Sequence, residues 1–436
     1  MEILKIETNL DKKIYFKESK EEWKNYSSKI ENSVINIFTD IEKQKIIGFG
    51  GAVTQSSGIA YKKLQEENKT KFIQELFGDY GYNIVRIPMG SCDFSDRTYS
   101  YSKKKDLSDF SIEEDYKHII PLLQDIKSFK PDVKILASPW SPPSFMKSNK
   151  IAILGGKLKE KYYEIYSNYF VKYIKEYEKI GLNIDYITIQ NEPYATQTWE
   201  SCIFSIEEEY YFMENYLYPN FERNDINTKI LIYDHNKEKM YQWANEIFSK
   251  SNHADGLAFH SYSGEHFEAV NACRNKFPDK LLFHTERCVG FSNFNPNNEQ
   301  VDAEIYGIEI LNDLNNGTNC FLDWNILLDK NGGPNHKRNY CNSPIMLVNN
   351  ETDYYKNLCY YYIGHFSKII KDGAVNLGYS RYSKEISVTA FRNLDGSIVV
   401  VLINTHDWTH DYNLCINDIC ITGNMDKRSI ISYVIK

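Results

Sequence analysis

The sequence lacks both an excess of positive charge and a long apolar run. Its 436 residues contain 59 acidic and 51 basic side chains, which gives a formal net charge of −8 at pH 7. This balance argues against nucleic acid or an anionic membrane surface as the main partner. Because no stretch of about 18 apolar residues occurs, the minimum for a transmembrane helix, we also expect no stable membrane insertion.

Signals for secretion, disulfide frameworks and metal sites are scarce as well. The first residues show no basic region followed by an apolar segment, the pattern of a secretory signal. The nine cysteines form no Cys-x-x-Cys pair, and an odd number fits no complete disulfide framework. We therefore expect reduced thiols and a cytoplasmic location. The histidines show no metal-ligand spacing, so we expect no metal.

Aromatic residues, in contrast, are abundant. They make up 14% of the chain, with 34 tyrosines, in a composition that is otherwise ordinary at 42% hydrophobic and 25% charged residues. Such a composition is typical of a folded globular protein, and 436 residues suffice for one large domain and a smaller one. Aromatic side chains also suit pockets that bind sugar rings.

An alternation of strand and helix patterns begins at Ile46. It predicts a (β/α)₈ barrel, because eight candidate strands alternate with helices. A doubly wound sheet is the alternative, but Gly48-Phe-Gly50-Gly51 lacks the third glycine of a phosphate loop. We interpret these glycines as close backbone packing. The candidate strands are Ile46–Ala52, Ile84–Met89, Lys134–Trp140, Tyr186–Glu192, Lys229–Asp234, Gly256–Tyr262, Leu281–Glu286 and Cys320–Asn325.

The two ends of the chain show strand patterns without the alternating helices of the middle. Residues 1–45 show short polar strands, and residues 371–436 contain a hairpin signal at Asp395-Gly396 between two apolar runs. Each segment alone would expose many strand edges, so we predict that they pair into one β-sandwich beside the barrel of residues 46–370. The predicted helices are Lys62–Phe77, Ile112–Phe129, Lys159–Ile180, Ile206–Tyr218, Asp302–Leu314 and the aromatic Tyr354–Ile370.

Two of the candidate strands end on glutamate. One leads to Glu192 and stops at Pro193, which cannot continue a strand ladder, and the other leads to Glu286. Strands four and seven face each other across an eight-stranded barrel, so the two carboxylates could lie about 5–5.5 Å apart, the retaining geometry. Two carboxyl groups are the minimum that general acid/base or nucleophilic catalysis at an acetal carbon requires.

Further polar and aromatic side chains follow the strand ends, where a barrel has its active site. Each has an ordinary structural explanation, such as an ion pair or loop packing, but together they point into one mouth. A nucleophilic carboxylate needs donors nearby to stay ionised, and tryptophan faces suit the C–H faces of a sugar. The candidates are Arg86, Asp93, Trp140, Asn191, His260, Tyr262, Trp324 and Asn325.

The combined motifs resemble glycoside hydrolase family 30, in its glucosylceramidase-like branch. The resemblance runs from about Ile46 to the C-terminus. It is carried by Gly48-Phe-Gly-Gly-Ala, Arg86-Ile-Pro-Met-Gly-Ser-Cys-Asp93, Ala137-Ser-Pro-Trp-Ser-Pro-Pro, Gln190-Asn-Glu-Pro, Thr285-Glu-Arg-Cys-Val-Gly, Asp323-Trp-Asn, Gly332-Gly-Pro-Asn335 and Gly364-His-Phe-Ser-Lys.

This resemblance implies a barrel with a side β-sandwich and retaining hydrolysis of β-glycosides. It implies a carbohydrate or glycoside as the substrate. We predict that the substrates are β-glucosides, cleaved by double displacement without a cofactor. By position, Glu192 resembles the acid/base and Glu286 the nucleophile. The residues that would hold the sugar are Asp93, Trp140, Asn191, Trp324 and Asn335, with Arg86, His260 and Tyr262 around the nucleophile.

Two positions depart from the family pattern, and several functions stay open. Arg287 stands where the family carries a small residue, and Ser261 where an aromatic residue is expected. Both lie near the mouth, so ceramide as the leaving group does not follow. The alternatives are a β-xylosidase or β-1,6-glucanase of the same family, a transglycosylase, and a catalytically silent glycan-binding protein. The sequence does not indicate an oligomeric state.

Overall fold

The computed structural model describes residues 2–27, 30–289 and 299–436. Within these ranges its elements are twenty strands and ten α-helices. The strands are β1 (Ile3–Asn9), β2 (Ile14–Lys20), β3 (Lys24–Asn25), β4 (Val34–Lys45), β5 (Gly48–Ala52), β6 (Ile84–Pro88), β7 (Lys134–Ser138), β8 (Tyr186–Thr188), β9 (Lys229–Asn236), β10 (Gly256–His260), β11 (Leu281–Glu286), β12 (Cys320–Asp323), β13 (Ile345–Leu347), β14 (Tyr354–Lys356), β15 (Val375–Arg381), β16 (Ser387–Arg392), β17 (Ile398–Asn404), β18 (His410–Ile416), β19 (Ile419–Met425) and β20 (Ser429–Ile435). The helices are α1 (Gln55–Lys63), α2 (Glu66–Ile73), α3 (Ile119–Phe129), α4 (Tyr163–Lys179), α5 (Ile206–Phe212), α6 (Tyr218–Arg223), α7 (Met240–Phe248), α8 (Phe267–Lys276), α9 (Glu299–Asn315) and α10 (Leu358–Ser367).

Strands β5 to β12 close into a parallel barrel. Each of the eight predicted strands is present, so the predicted (β/α)₈ fold is confirmed and the doubly wound alternative is wrong. Glycine in β5 reflects close packing, because a methyl group at Gly50 would lie 1.7 Å from the carbonyl oxygen of Ile84. The fourth strand is shorter than predicted, since β8 ends at Thr188.

Amphipathic helices cover the barrel. Helix α4 shows the principle, because its buried side chains Tyr166, Phe170, Tyr173 and Tyr177 recur at spacings of three and four residues and therefore share one face. Local chemistry sets some helix boundaries. Ser205 begins α5 with a capping box, in which its hydroxyl and the Glu208 carboxylate each accept from the other's backbone N–H.

The terminal strands form a second body against the barrel. Strands β1–β4 and β15–β20 make one ten-stranded sheet, in which β20 is third and β18 eighth in the strand order. Tyr412 of β18 nevertheless hydrogen-bonds Tyr433 of β20, so the sheet folds over itself into two layers around an apolar core. The predicted β-sandwich of both chain ends is confirmed, and the predicted hairpin at Asp395-Gly396 joins β16 to β17.

Two predictions about this half of the chain are wrong. The aromatic segment that begins at Tyr354 is not helical at its start, because Tyr354–Lys356 pairs as β14 with β13 and α10 begins at Leu358. Cys415 and Cys420 stand opposite each other on β18 and β19 and form a disulfide bond, so the thiols are not all reduced. The cytoplasmic location stays a prediction. In the described ranges, no helix is both long and apolar enough to cross a membrane.

Candidate active site

A cavity of about 470 Å³ opens at the carboxyl-terminal end of the barrel strands. Its lining contains most of the candidate residues of the sequence, together with side chains that sequence reasoning did not single out as ligands. The predicted members are Asp93, Trp140, Asn191, Glu192, Tyr262, Glu286 and Trp324, and the additional ones are Gln197, Trp199, His235, Asn236, Arg287, Cys288, Val289, Asp302 and Ile305.

The two glutamates reach the cavity in different ways. Glu286 is the last residue of β11. Glu192 lies four residues beyond β8 in a left-handed backbone conformation with φ of 49°. The N–H of Glu192 donates to the carbonyl of Asp234 at 2.9 Å, and the N–H of Asn191 donates to that of Pro139 at 2.8 Å. Neighbouring strand ends therefore fix this turn.

Arg86, beneath the cavity, connects the polar groups of the site. Its Nη1 donates to Glu286 Oε2 at 2.5 Å, and its Nη2 donates to Asn191 Oδ1 at 2.7 Å and to Asp234 Oδ2 at 2.8 Å. The side chain is fully buried, and its guanidinium carbon lies 4.8 Å from the ring centre of Trp140. A buried cation with this many acceptors is held in one position.

Asp234 is the residue of this network that sequence reasoning missed. It is the extra residue of a β-bulge in β9, because Tyr233 and His235 pair with the consecutive residues Ala258 and Phe259. Bulges re-aim side chains and are frequent beside active sites. Against the cost of burial, the charges of Arg86 and His260 hold the pKa of Asp234 well below its usual range. Its remaining donors are the hydroxyls of Thr188 and Thr285, each at 2.6 Å.

His260 lies among three carboxylates. Its Nδ1 is 3.5 Å from Glu192 Oε1, and its Nε2 is 3.1 Å from Asp234 Oδ1 and 3.9 Å from Glu286 Oε2. Burial lowers the pKa of His260, but the charge of Glu286 and the hydrogen bonds to Asp234 and Glu192 outweigh burial and raise the pKa to about 9. The imidazole is therefore a cation that both glutamates contact. Among the described residues, no cluster of histidine, cysteine and carboxylate side chains could hold a metal ion.

The surroundings of the two glutamates differ. Glu286 accepts from Arg86 and also from the Tyr262 hydroxyl at 3.1 Å, whereas the imidazole nitrogens beside Glu192 lie at 3.5 and 3.9 Å. Burial raises the pKa of Glu286 despite His260 and Arg86. Burial also opposes ionisation of Glu192, but His260 and His235 lower its pKa. The charge of Glu192 also raises the pKa of Glu286, so ionisation of one carboxyl disfavours ionisation of the other.

One wall of the cavity combines aromatic rings with the buried carboxyl group of Asp93. Trp140 and Trp324 stack with ring centres 5.2 Å apart. Burial raises the pKa of Asp93 well above its usual range. Asp93 Oδ2 accepts from Asn339 Nδ2 at 2.6 Å, and its buried Oδ1 has no hydrogen-bond partner among the described residues. Asn335, the predicted amide, is outside the lining, and its Nδ2 donates to the Asn339 carbonyl at 3.4 Å.

Comparison with known families agrees with this geometry. Residues 46–370 match the glycosyl hydrolase family 30 TIM-barrel domain, and residues 373–433 match the glycosyl hydrolase family 30 beta sandwich domain. The chain belongs to glycoside hydrolase family 30. The resemblance in its motifs is confirmed, and with it the class of reaction, hydrolysis of O-glycosidic bonds with retention.

Related proteins and solved structures cover most or all of the chain. The lysosomal acid glucosylceramidase of Mus musculus is 32% identical over 86% of this chain and 77% of its own length. The crystal structure of SrfJ from Salmonella typhimurium superposes with a TM-score of 0.97 at 30% identity, covering 100% of both chains. The endo-β1,6-glucanase BT3312 gives 0.90 at 26% identity, covering 100% of this chain and 99% of that one.

Proposed function

We propose that this enzyme hydrolyses β-glucosides with Glu286 as the nucleophile and Glu192 as the acid/base. One observation carries the assignment of roles: Glu286 accepts hydrogen bonds from Arg86 at 2.5 Å and Tyr262 at 3.1 Å, whereas the imidazole nitrogens beside Glu192 lie 3.5 and 3.9 Å from it. Donors stabilise the ionised form of a carboxylate, which a nucleophile requires.

In the first step, a carboxylate oxygen of Glu286 attacks the anomeric carbon while the bond to the leaving oxygen breaks. The proton of Glu192 moves to that oxygen. A glycosidic oxygen accepts a hydrogen bond only from protonated Glu192, so bound substrate favours the shared proton on Glu192. The positive charge that develops on the sugar ring at the same time favours ionised Glu286.

In the second step, Glu192 works as a base. Each carboxylate raises the pKa of the other, so formation of the ester at Glu286 removes a negative charge and lowers the pKa of Glu192. The ionised Glu192 then takes a proton from water, and the water oxygen attacks the anomeric carbon and releases Glu286. The separation of about 5–5.5 Å that this sequence of steps needs stays a prediction.

The sugar itself would lie against the wall of Asp93 and the two tryptophans. Asp93 Oδ1, buried and without a partner among the described residues, can accept from a sugar hydroxyl. Because Asn191 Oδ1 accepts from Arg86, the amide is oriented with its NH₂ group available to the sugar 2-OH, a contact that tightens in the transition state. Trp140 and Trp324 supply apolar faces. Direct contact of Asn335 with the sugar stays a prediction.

Glucose is the sugar that the relatives support. The curated relative is named for glucosylceramide and the superposed glucanase for β1,6-glucan, both of which are β-glucosides. The full-length match to the glucanase makes endo-β-1,6-glucanase activity the second candidate. A silent glycan-binding protein would need neither glutamate, and no specific observation favours a β-xylosidase.

Aryl β-glycosides test this proposal. We expect release of nitrophenol from the β-glucoside, with retention of configuration by NMR of the first product, and little release from the xyloside, fucoside or galactoside. Glu286→Gln should lose turnover, while the control Glu304→Gln, a buried glutamate of α9 that is outside the cavity lining and pairs with Arg428, should keep it. Turnover that survives in Glu286→Gln would disprove the assignment.

A further inference from the structure

Arg287, next to the nucleophile, belongs to a closed ring of polar contacts. Each member contacts the next and the last returns to the first. Arg287 Nε lies 3.1 Å from Glu309 Oε2, and Glu309 Oε1 lies 2.8 Å from Lys237 Nζ. Lys237 Nζ lies 2.7 Å from Asp313 Oδ1, and Asp313 Oδ2 lies 2.8 Å from His284 Nδ1. His284 Nε2 lies 3.0 Å from Ser261 Oγ, and the Ser261 carbonyl accepts from Arg287 Nη1 at 2.8 Å, which closes the ring.

The ring is buried and joins separate elements. Lys237 and His284 are fully buried, and the side chain of Arg287 is 14% exposed. The members come from the ends of β9, β10 and β11 and from α9, and the two cations face two carboxylates. Burying charged side chains costs free energy, but a ring in which each member contacts the next holds every member in one position. Such a ring is expected where the position of one member matters for function. Here that member is Arg287, the one that reaches the cavity.

Arg287 forms the outer wall of the cavity together with α9. Asp302 and Ile305 of α9 line the same cavity, and the charge of Arg287 acts on Asp302. The Arg287 guanidinium also lies 5.7 Å from the ring centre of Tyr262, whose hydroxyl donates to the nucleophile. The residues at the strand ends would enclose the first sugar. Because the helices surround the barrel, the part of the cavity lined by α9 lies outside these residues. The leaving group would therefore lie against α9 and Arg287.

We propose that Arg287 is a specificity residue that selects a sugar unit as the leaving group. This rests on the proposed function and deepens it: the substrate is a β-linked gluco-oligosaccharide rather than a glucoside of a lipid. A guanidinium held in place donates well to sugar hydroxyls, at little further cost in conformational entropy. An alkyl chain against Arg287 and Asp302 would leave buried polar groups without partners, which disfavours it.

The experiment compares leaving groups on one glucose. The substrates are the disaccharides gentiobiose, laminaribiose and cellobiose, with octyl β-glucoside and nitrophenyl β-glucoside. The variants are Arg287→Met, which keeps an unbranched apolar stem, Glu309→Gln, which keeps Arg287 but weakens the ring, and the exposed Arg223→Ala as the matched control. Thermal unfolding of each variant checks that it is folded.

We expect at least one disaccharide to be hydrolysed with a higher kcat/KM than octyl β-glucoside. In Arg287→Met, kcat/KM for that disaccharide should fall about tenfold or more, the loss expected for a charge-assisted hydrogen bond, with a several-fold smaller loss on the nitrophenyl glucoside. Glu309→Gln should lie between. Equal losses on all substrates, or a preference for the octyl glucoside, would overturn the proposal. No turnover of any glucoside by the unaltered enzyme would instead refute the proposed function.

Discussion

Two histidines, His260 in the barrel mouth and His365 where α10 meets the β-sandwich, are both fully buried but carry different charges. Burial lowers the pKa of His365 to about 3, whereas the carboxylates around His260 raise its pKa to about 9. The ring nitrogens of His365 lie beside neutral hydroxyls, Ser432 Oγ at 2.7 Å and Thr8 Oγ1 at 2.9 Å.

The different charges of the two histidines reflect the different roles of the two regions. At the junction of barrel and sandwich, a neutral imidazole with two hydroxyl partners satisfies its hydrogen bonds at low cost. In the mouth, Arg86, His260 and Asp234 remain charged in a buried site, which stabilises little and can cost stability compared with apolar packing. Buried cations stabilise the carboxylates that a glycosidase uses, so catalysis rather than stability explains why these charges are buried in the mouth.

The largest effect should follow from Asp234→Asn, which removes one charge from the mouth without changing its shape. Arg86 and His260 would each lose one of their carboxylate partners, so we expect a loss of about 3–5 kcal/mol in the free energy of unfolding, as for a broken buried ion pair. The kcat/KM for nitrophenyl β-glucoside should fall as well. Urea denaturation and steady-state kinetics measure both. A stable, active variant would show that the mouth does not depend on its ion pairs.

Glu192→Gln should separate activity from stability within the mouth. General acid catalysis contributes about 10²–10⁴-fold, so hydrolysis of an alkyl β-glucoside should fall by that factor, while a dinitrophenyl β-glucoside, which needs little protonation, should lose much less in its first step. Because His260 and His235 lower the pKa of Glu192, its charge favours the folded state at neutral pH, so the variant should unfold at a slightly lower temperature, with a smaller loss of stability than Asp234→Asn. Equal losses on both substrates would rule out the acid role.

The two histidines should give opposite pH dependence. The folded pKa of His260, about 9, lies above the ordinary value of 6.5, so its contribution to stability is complete below pH 6.5 and is lost as pH rises toward 9. The folded pKa of His365, about 3, lies below 6.5, so its contribution is present above pH 6.5 and is lost as pH falls. We would measure the free energy of unfolding of the variants His260→Gln and His365→Gln as a function of pH. His260→Gln should lack the loss of stability at alkaline pH, and His365→Gln should lack the loss at acidic pH. An unchanged alkaline slope in His260→Gln would mean that His260 is neutral.

The sequence predicted the barrel and most of the site because both depend on local patterns. Apolar runs of strand length between helical periods were enough for the eight strands, and residues at strand ends were enough for Arg86, His260 and Glu286. The role of Asp234 depends on a bulge, which shifts the side-chain alternation by one residue. Its signal was the carboxylate that ends the predicted strand Lys229–Asp234, although β9 itself continues to Asn236.

Other features depend on contacts between distant segments, which one sequence does not reveal. The ring around Arg287 joins residues from Lys237 to Asp313, and Asn339 rather than Asn335 contacts Asp93. The Cys415–Cys420 disulfide follows from the pairing of β18 with β19, and the start of α10 from the pairing of β13 with β14. The motif at Thr285 extends to Gly290, which lies outside the described residues.

The smallest effect should come from Thr8→Val, an isosteric change on the neutral side of the comparison. Thr8 Oγ1 contacts His365 and accepts from the N–H of Phe16 at 3.1 Å, so we expect the free energy of unfolding to fall by about 1–2 kcal/mol, the cost of leaving a buried group unpaired. Activity should stay within about twofold, since no transition-state contact is lost. A double-mutant cycle with Ser432→Ala would show coupling through His365. A large fall in kcat/KM for the folded variant would mean that the sandwich junction and the barrel mouth are linked, and that the two histidines do not belong to independent regions.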